Sequence, residues 1–148
     1  MDFNTFDFHP KVAAGITAAG YTAPTPIQTQ AIPEVMQGRD VMGLAQTGTG
    51  KTAAFALPIM NRLLKGRRGT LRALVVAPTR ELAEQIHEAI ETLGRKTRIK
   101  SVSVYGGVGI NPQIKKLKRA DVVLPVRVGF LTISDVIASI FPNWKCWL

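Results

Sequence analysis

Four short apolar runs alternate with helical patterns along the chain, and this alternation limits the possible folds more than any other feature. The runs read DVMGLAQ (40–46), RALVVAP (72–78), KSVSVYGG (100–107) and ADVVLPV (120–126). Each is rich in valine or leucine and bounded by glycine or proline, the pattern of a short strand. Between the second and third, TRELAEQIHEAIETLG (79–94) places Leu82, Ile86, Ala89, Ile90 and Leu93 on one face at helical spacing. Glutamates fill its first turn and Gly94 is placed to end it. Strands alternating with helices predict an α/β fold, a parallel sheet flanked by helices with ligands at the carboxyl ends of the strands.

A chain of 148 residues suits one domain, large enough to bury about two thirds of its unfolded surface. A hydrophobic share of 46% against 20% charged argues for a folded globule rather than a disordered chain. Cys146, the single cysteine, has no second thiol or histidine cluster near it, which argues against an internal disulfide or a metal site. With no signal peptide and no apolar run of membrane length, a cytoplasmic protein without membrane association is expected.

The net charge of +9 is unevenly placed. Between Arg62 and Arg119 stand 14 of the 19 basic residues and only four acids, Glu81, Glu84, Glu88 and Glu91. KGRR (65–68), RKTRIK (95–100) and KKLKR (115–119) could neutralise phosphates, with an affinity that falls as salt rises. A merely solvated basic surface explains the same pattern.

GLAQTGTGKTAAFALP (43–58) ends an apolar run in a glycine-rich turn and opens a helix. Gly48 and Gly50 let the backbone turn tightly with its N–H groups inward, Lys51 adds a charge, and Thr52 offers a hydroxyl to magnesium. Such a nest suits nucleotide phosphates. The usual G-x-x-x-x-G-K-[ST] pattern has glycine first, and here that place is Ala45.

Four stretches in order, GYTAPTPIQ (20–28), AQTGTGKT (45–52), PTRELAEQ (78–85) and YGG (105–107), together resemble the first domain of the DEAD-box RNA helicases, and the alanine in the loop is that family's own variant. The resemblance covers about residues 1–123. It implies a P-loop NTPase of RecA-like fold, ATP or ADP with Mg2+, and sequence-independent RNA binding. Carried onto this chain, Gln28 would read the adenine edge and Phe3 would stack near the same base. A carboxamide suits the first task because it both donates and accepts. Gly48, Thr49, Gly50, Lys51 and Thr52 would hold the phosphates, with Thr52 also on the metal. Pro78, Thr79, Arg80, Gly106 and Gly107 would contact the RNA backbone, where a helix start and close-approaching glycines suit sugar and phosphate better than base edges.

Simpler readings stand beside these. Phe3, Phe6 and Phe8 alternate with polar residues and could cover the edge of the core; Gly106 and Gly107 could simply end a strand. His87 reads as the flank of a helix and His9 as a turn before proline, so neither suggests catalysis.

After Val123 the family continues with a P-G-R motif, then the D-E-A-D carboxylates, an S-A-T motif and a second domain, none of which occurs here. The chain reads LPVRVGFLTISDVIASIFPNWKCWL (124–148) instead. Permitted codons for residues 124–133, read from the third base, give Ala-Cys-Pro-Gly-Arg-Leu-Leu-Asp-His, close to the missing motif. At NWKCW (143–147) tryptophan has one codon, and the shifted reading is forced to Leu-Glu-(Val or Met)-Leu, like the strand that precedes the acidic motif. A frameshift near Val123 is therefore expected, with a partial ATP-binding domain over 1–123 and a non-family tail over 124–148.

Asp121 and Asp135 are the nearest acids and neither sits in an acidic pair, so binding of ATP or ADP without hydrolysis or unwinding is expected, with no catalytic residue assigned. The missing strand should leave unpaired backbone near the P-loop strand. A strand within 126–137, the aromatics Phe141, Trp144 and Trp147, or a second copy of the chain could fill that gap. A homo-oligomer through sheet edge or tail is thus expected over a monomer. The alternative function is a non-enzymatic RNA-binding or RNA-chaperone module acting through the basic surface, and a folded fragment without a cellular role is a third reading.

Overall fold

The computed structural model describes residues 2–66, 70–106 and 109–126. Two compact units divide the chain, one made of Met1–Arg68 with Glu88–Ile99 and the other of Gly69–His87 with Lys100–Leu148.

The first unit is helical. A 3-10 turn, Phe3–Phe6, is capped by Asp2, whose carboxylate accepts from the Asn4 N–H at 2.9 Å. Helix α1, Pro10–Ala18, starts with proline where a missing N–H costs nothing, and His9 caps it through Nδ1. His9 is therefore a structural residue, its own N–H donating to buried Asn61 Oδ1 at 2.7 Å. Helix α2, Pro26–Met36, opens with a capping box between Thr25 and Gln28. Helix α3, Lys51–Leu64, buries Ala53, Ala54, Ala56, Leu57, Met60 and Leu63 and packs along α2. Phe3, Phe6 and Phe8 are all buried, in edge and tilted ring contacts, as a core-edge reading of these residues expects.

Helix α4, Arg80–Gly94, begins where Thr79 Oγ1 accepts from the Leu82 N–H at 3.2 Å. Its buried stripe is Ala83, Ile86, Ile90 and Leu93. Leu82, placed on the core face by spacing alone, is 37% exposed, because Ala83 lies one position further round and takes the inward place. In the first unit the last turn of this helix crosses α1 so closely that a Cβ on Gly15 would stand 2.0 Å from the Leu93 carbonyl oxygen. Only glycine fits there.

The second unit holds a three-stranded parallel sheet in the order β1-β3-β2, from β1 (Ala73–Leu74), β2 (Ser101–Val104) and β3 (Val122–Pro125). Ala73 and Ser101 both pair with Val122, one on each side. The ladder runs on past β1, with the N–H groups of Val75 and Ala77 donating to the Val123 and Pro125 carbonyls. As the central strand, β3 is apolar on both faces, and Val122, Val123 and Leu124 are fully buried. Helix α5, Ile110–Leu117, lies against β2, and its Leu117 packs with Leu71, Val104 and Val123.

The sheet confirms three of the four expected strands and corrects the fourth. Residues 40–46 form no strand, and Met42 and Leu44 are each 89% exposed. A strand persists only where neighbours satisfy its N–H and C=O groups, and none of the described strands pairs with this segment. Residues 124–126 continue β3, and the Val126 N–H donates to the Val104 carbonyl at 3.1 Å. Arg67, Arg68, Gly107 and the remainder of the tail, including Asp135, Phe141, Trp144, Cys146 and Trp147, lie outside the described residues.

Candidate nucleotide and nucleic-acid sites

In the first unit the glycine loop closes directly onto α3. Gly48 and Gly50 hold φ of 79° and 88°, the left-handed region that a side chain would strain, and Gly50 is the residue before the helix. Lys51 opens the helix and folds its ammonium back, donating to the carbonyls of Ala45 and of Gln46, the latter at 2.8 Å. Thr49 Oγ1 donates to the same Gln46 carbonyl at 2.8 Å. Thr52 follows, half-buried, on the first turn.

The start of α2 braces this loop. Thr25 Oγ1 donates to the Thr49 carbonyl at 2.8 Å and Gln28 Nε2 to the Gly50 carbonyl at 3.0 Å. Gln28 Oε1 accepts from the Thr25 N–H at 3.0 Å, and the side chain is 1% exposed. Both ends of the Gln28 amide are therefore engaged within the protein. A Cβ on Gly50 would stand 2.4 Å from Gln28 Nε2, so the brace requires glycine there. Thr25 went unassigned at the sequence level, although a threonine before proline and three residues ahead of glutamine is the signal of a capping box.

Phe3 is 8% exposed, with its ring edge-on to Phe6 at 6.1 Å and Tyr21 at 6.0 Å. Of these aromatics Tyr21, at 38%, offers the most surface to a base arriving from solvent.

The donor set fits a polyphosphate. It consists of a helix start, two left-handed glycines and an ammonium bonded only to carbonyls, which an anion can replace as partner. Among the described residues no group of three His, Cys, Asp or Glu side chains could hold a metal.

In the second unit, the segments that follow β1 and β2 leave the sheet at its carboxyl end. Pro78, Thr79 and Arg80 are all exposed, and Pro78, lacking an N–H, follows the last ladder residue, Ala77. Arg80 Nη2 donates to the Gly106 carbonyl, and its guanidinium lies 5.0 Å from the centre of the Tyr105 ring. Gln113, on α5, grips the same turn from the other side. Its Oε1 accepts from the Tyr105 N–H at 3.2 Å, and its Nε2 donates to the Tyr105 and Gly109 carbonyls at 3.3 and 3.4 Å. Tyr105 lies in the YGG stretch but was given no role there, and Gln113 was not singled out; its only cue was a polar residue on the inward side of an amphipathic helix. His87 sits half-buried on the flank of α4, as expected, 2.7 Å from Ser101 Oγ through Nδ1.

Comparison with known proteins agrees with this arrangement. The family described as DEAD/DEAH box helicase matches residues 25–138, a span that passes the 123/124 boundary. The chain is 50% identical over 129 residues to the DEAD-box ATP-dependent RNA helicase RhpA of Helicobacter pylori, covering 87% of this chain and 26% of that protein. It is 44% identical over 131 residues to the ATP-dependent rRNA helicase RRP3 of Lodderomyces elongisporus, covering 88% of this chain and 26% of that one. Among solved structures, a DEAD box protein from Methanococcus jannaschii superposes with a TM-score of 0.83 at 33% identity, over 92% of this chain and 38% of that one. A hypothetical ATP-dependent RNA helicase from Sulfolobus tokodaii gives 0.75 at 36% identity, over 86% and 37%. The chain thus spans about a quarter of the length of these curated relatives. Its small parallel sheet flanked by helices, three strands among the described residues, is of the RecA-like fold. By motif order, sheet topology and sequence match, the chain belongs to the DEAD/DEAH box helicase family.

Proposed function

We propose that this chain is an ATP- or ADP-binding and RNA-binding amino-terminal portion of a DEAD-box RNA helicase, and that on its own it neither hydrolyses ATP efficiently nor unwinds a duplex. The braced loop carries this reading. Gly48, Thr49, Gly50 and Lys51 would surround the phosphates and Thr52 would take a phosphate-bound Mg2+. Gln28 and Phe3 would serve the adenine, with Tyr21 as the exposed aromatic of that group. Magnesium supplies charge neutralisation on the terminal phosphates when bound. The protein's own share is to hold the phosphate groups in one orientation. Pro78, Thr79, Arg80, Gly106 and Gly107 would hold an RNA backbone.

Hydrolysis also needs an oriented water and a carboxylate set, and the sequence has no D-E-A-D run to supply one. A frameshift near residue 124 accounts for the tail that stands in its place, and sequencing the gene tests this directly. Homo-oligomerisation through the sheet edge or tail belongs to the same reading, and a monomeric mass in solution would count against it.

Nucleotide affinity and phosphate release, measured with and without RNA for the native chain and Lys51→Ala, test the proposal. Nucleotide binding that drops at least tenfold in the variant, with no RNA-dependent release from either protein, is expected. Release that requires RNA and vanishes in the variant would show a working ATPase. The second reading, RNA binding without nucleotide, is favoured by the exposed cations of α5, which have no ion-pair partner among the described residues, and RNA affinity indifferent to Lys51→Ala would support it.

A further inference from the structure

Residues 92–120 contain eight lysines and arginines and no acid. Four of these cations, Lys115, Lys116, Lys118 and Arg119, are exposed along α5 and its C-terminal end. None has an ion-pair partner among the described residues. Asp121, the next acid along the chain, is buried, and its Oδ2 accepts from the Lys100 N–H at 3.1 Å.

The helical period sorts this segment into two faces. Gln113 and Leu117 turn inward, whereas Lys115 and Arg119, four residues apart, stand one turn above the other on the opposite side with Lys116 and Lys118 beside them. Like charges crowded along a helix and the turn that ends it repel one another. The negative end of the helix dipole offsets part of this repulsion, since Lys115 and Lys116 lie in the last turn. A polyanion would offset the remainder. The inward side of the same helix matters as well, because Gln113 fastens α5 to the Tyr105–Gly106 turn, so the cationic face is held in fixed relation to that turn.

We infer that the outer face of α5, formed by Lys115, Lys116, Lys118 and Arg119, is a second RNA-binding surface that takes the sugar–phosphate backbone beyond the part held by Arg80 and Gly106. The inference rests on the proposed RNA reading and extends it to residues outside the motifs. Contacts of this kind are electrostatic and indifferent to base sequence. Each phosphate neutralised on a single strand contributes about 0.7 to the slope of log affinity against log salt. Four contacts therefore contribute roughly 3.

The test follows anisotropy of a fluorescein-labelled oligouridine across a salt series with four proteins. They are the native chain, the α5 variant K115Q/K116Q/K118Q/R119Q, a control K11Q/K65Q/R95Q/K96Q that loses the same charge elsewhere, and Arg80→Ala. Glutamine keeps the helix propensity, and circular dichroism checks the fold. The α5 variant should lose about 3 units of slope and at least tenfold in affinity at low salt, while the control keeps its slope. An unchanged slope in the α5 variant, with weakened binding in Arg80→Ala, would overturn the α5 surface and leave the RNA reading standing. Equal loss in the α5 variant and the control would assign binding to overall charge and overturn it too. No binding by the native chain would overturn both readings.

Discussion

Gln28 and Gly50, 22 residues apart, are joined by a 3.0 Å hydrogen bond from the buried side-chain amide to the carbonyl at the mouth of α3. The shape of the phosphate loop is thus set partly by the helix before it. Any event that takes hold of the amide acts on the loop as well.

Gln28→Leu removes both hydrogen bonds while keeping the bulk, leaving the Thr25 N–H without its partner, whereas the Gly50 carbonyl keeps the Ala54 N–H. A buried group so stranded costs about 1–3 kcal/mol. A lowered denaturation midpoint together with weaker nucleotide binding is expected. A variant as stable as the native chain would show that the brace contributes nothing to folding.

Gly15→Ala pushes a methyl carbon onto the Leu93 carbonyl, 2.0 Å away before any relaxation. Overpacking of this kind costs about 1–3 kcal/mol. Urea denaturation should register that loss, whereas Gly20→Ala, where nothing lies within 4 Å, should register only the strain of its positive φ.

Arg80→Lys keeps the charge but gives up the guanidinium over the Tyr105 ring and its directed bond to the Gly106 carbonyl. If Arg80 positions the turn, RNA affinity should fall in Arg80→Lys nearly as far as in Arg80→Ala, with little change in salt slope. Full rescue by lysine would make Arg80 a simple phosphate contact.

Met42→Lys with Leu44→Lys probes the segment that forms no strand. Both side chains are 89% exposed, so the pair should change stability by no more than about 0.5 kcal/mol per site and should reduce light scattering on storage. A loss in the range of about 2–5 kcal/mol, as for a buried leucine, would place the segment in the interior after all.

The sheet was legible because β3 is apolar on both faces, and only a central parallel strand tolerates Val122, Val123 and Leu124 in a row. Residues 40–46 carry an equally strong local pattern, yet local pattern cannot show whether a neighbouring strand exists to complete the ladder. The loop from Gly48 to Thr52 was legible for a similar reason to β3, since left-handed glycines and a helix start leave a mark in the sequence. The braces were less so. Gln28 is bonded to the protein at both ends of its amide, Thr25 showed only the signal of a capping box, and Gln113 acts on backbone atoms, which no side-chain pattern identifies.

The strand order also bears on how the chain is made. Because β1 and β2 each pair with β3 and not with each other, a ribosome that has released residues 72–104 has released two strands with no common partner. The sheet can assemble only once residues 122–126 emerge. Until then the nascent chain exposes unpaired strand edges, the state in which holding chaperones bind and misassociation begins.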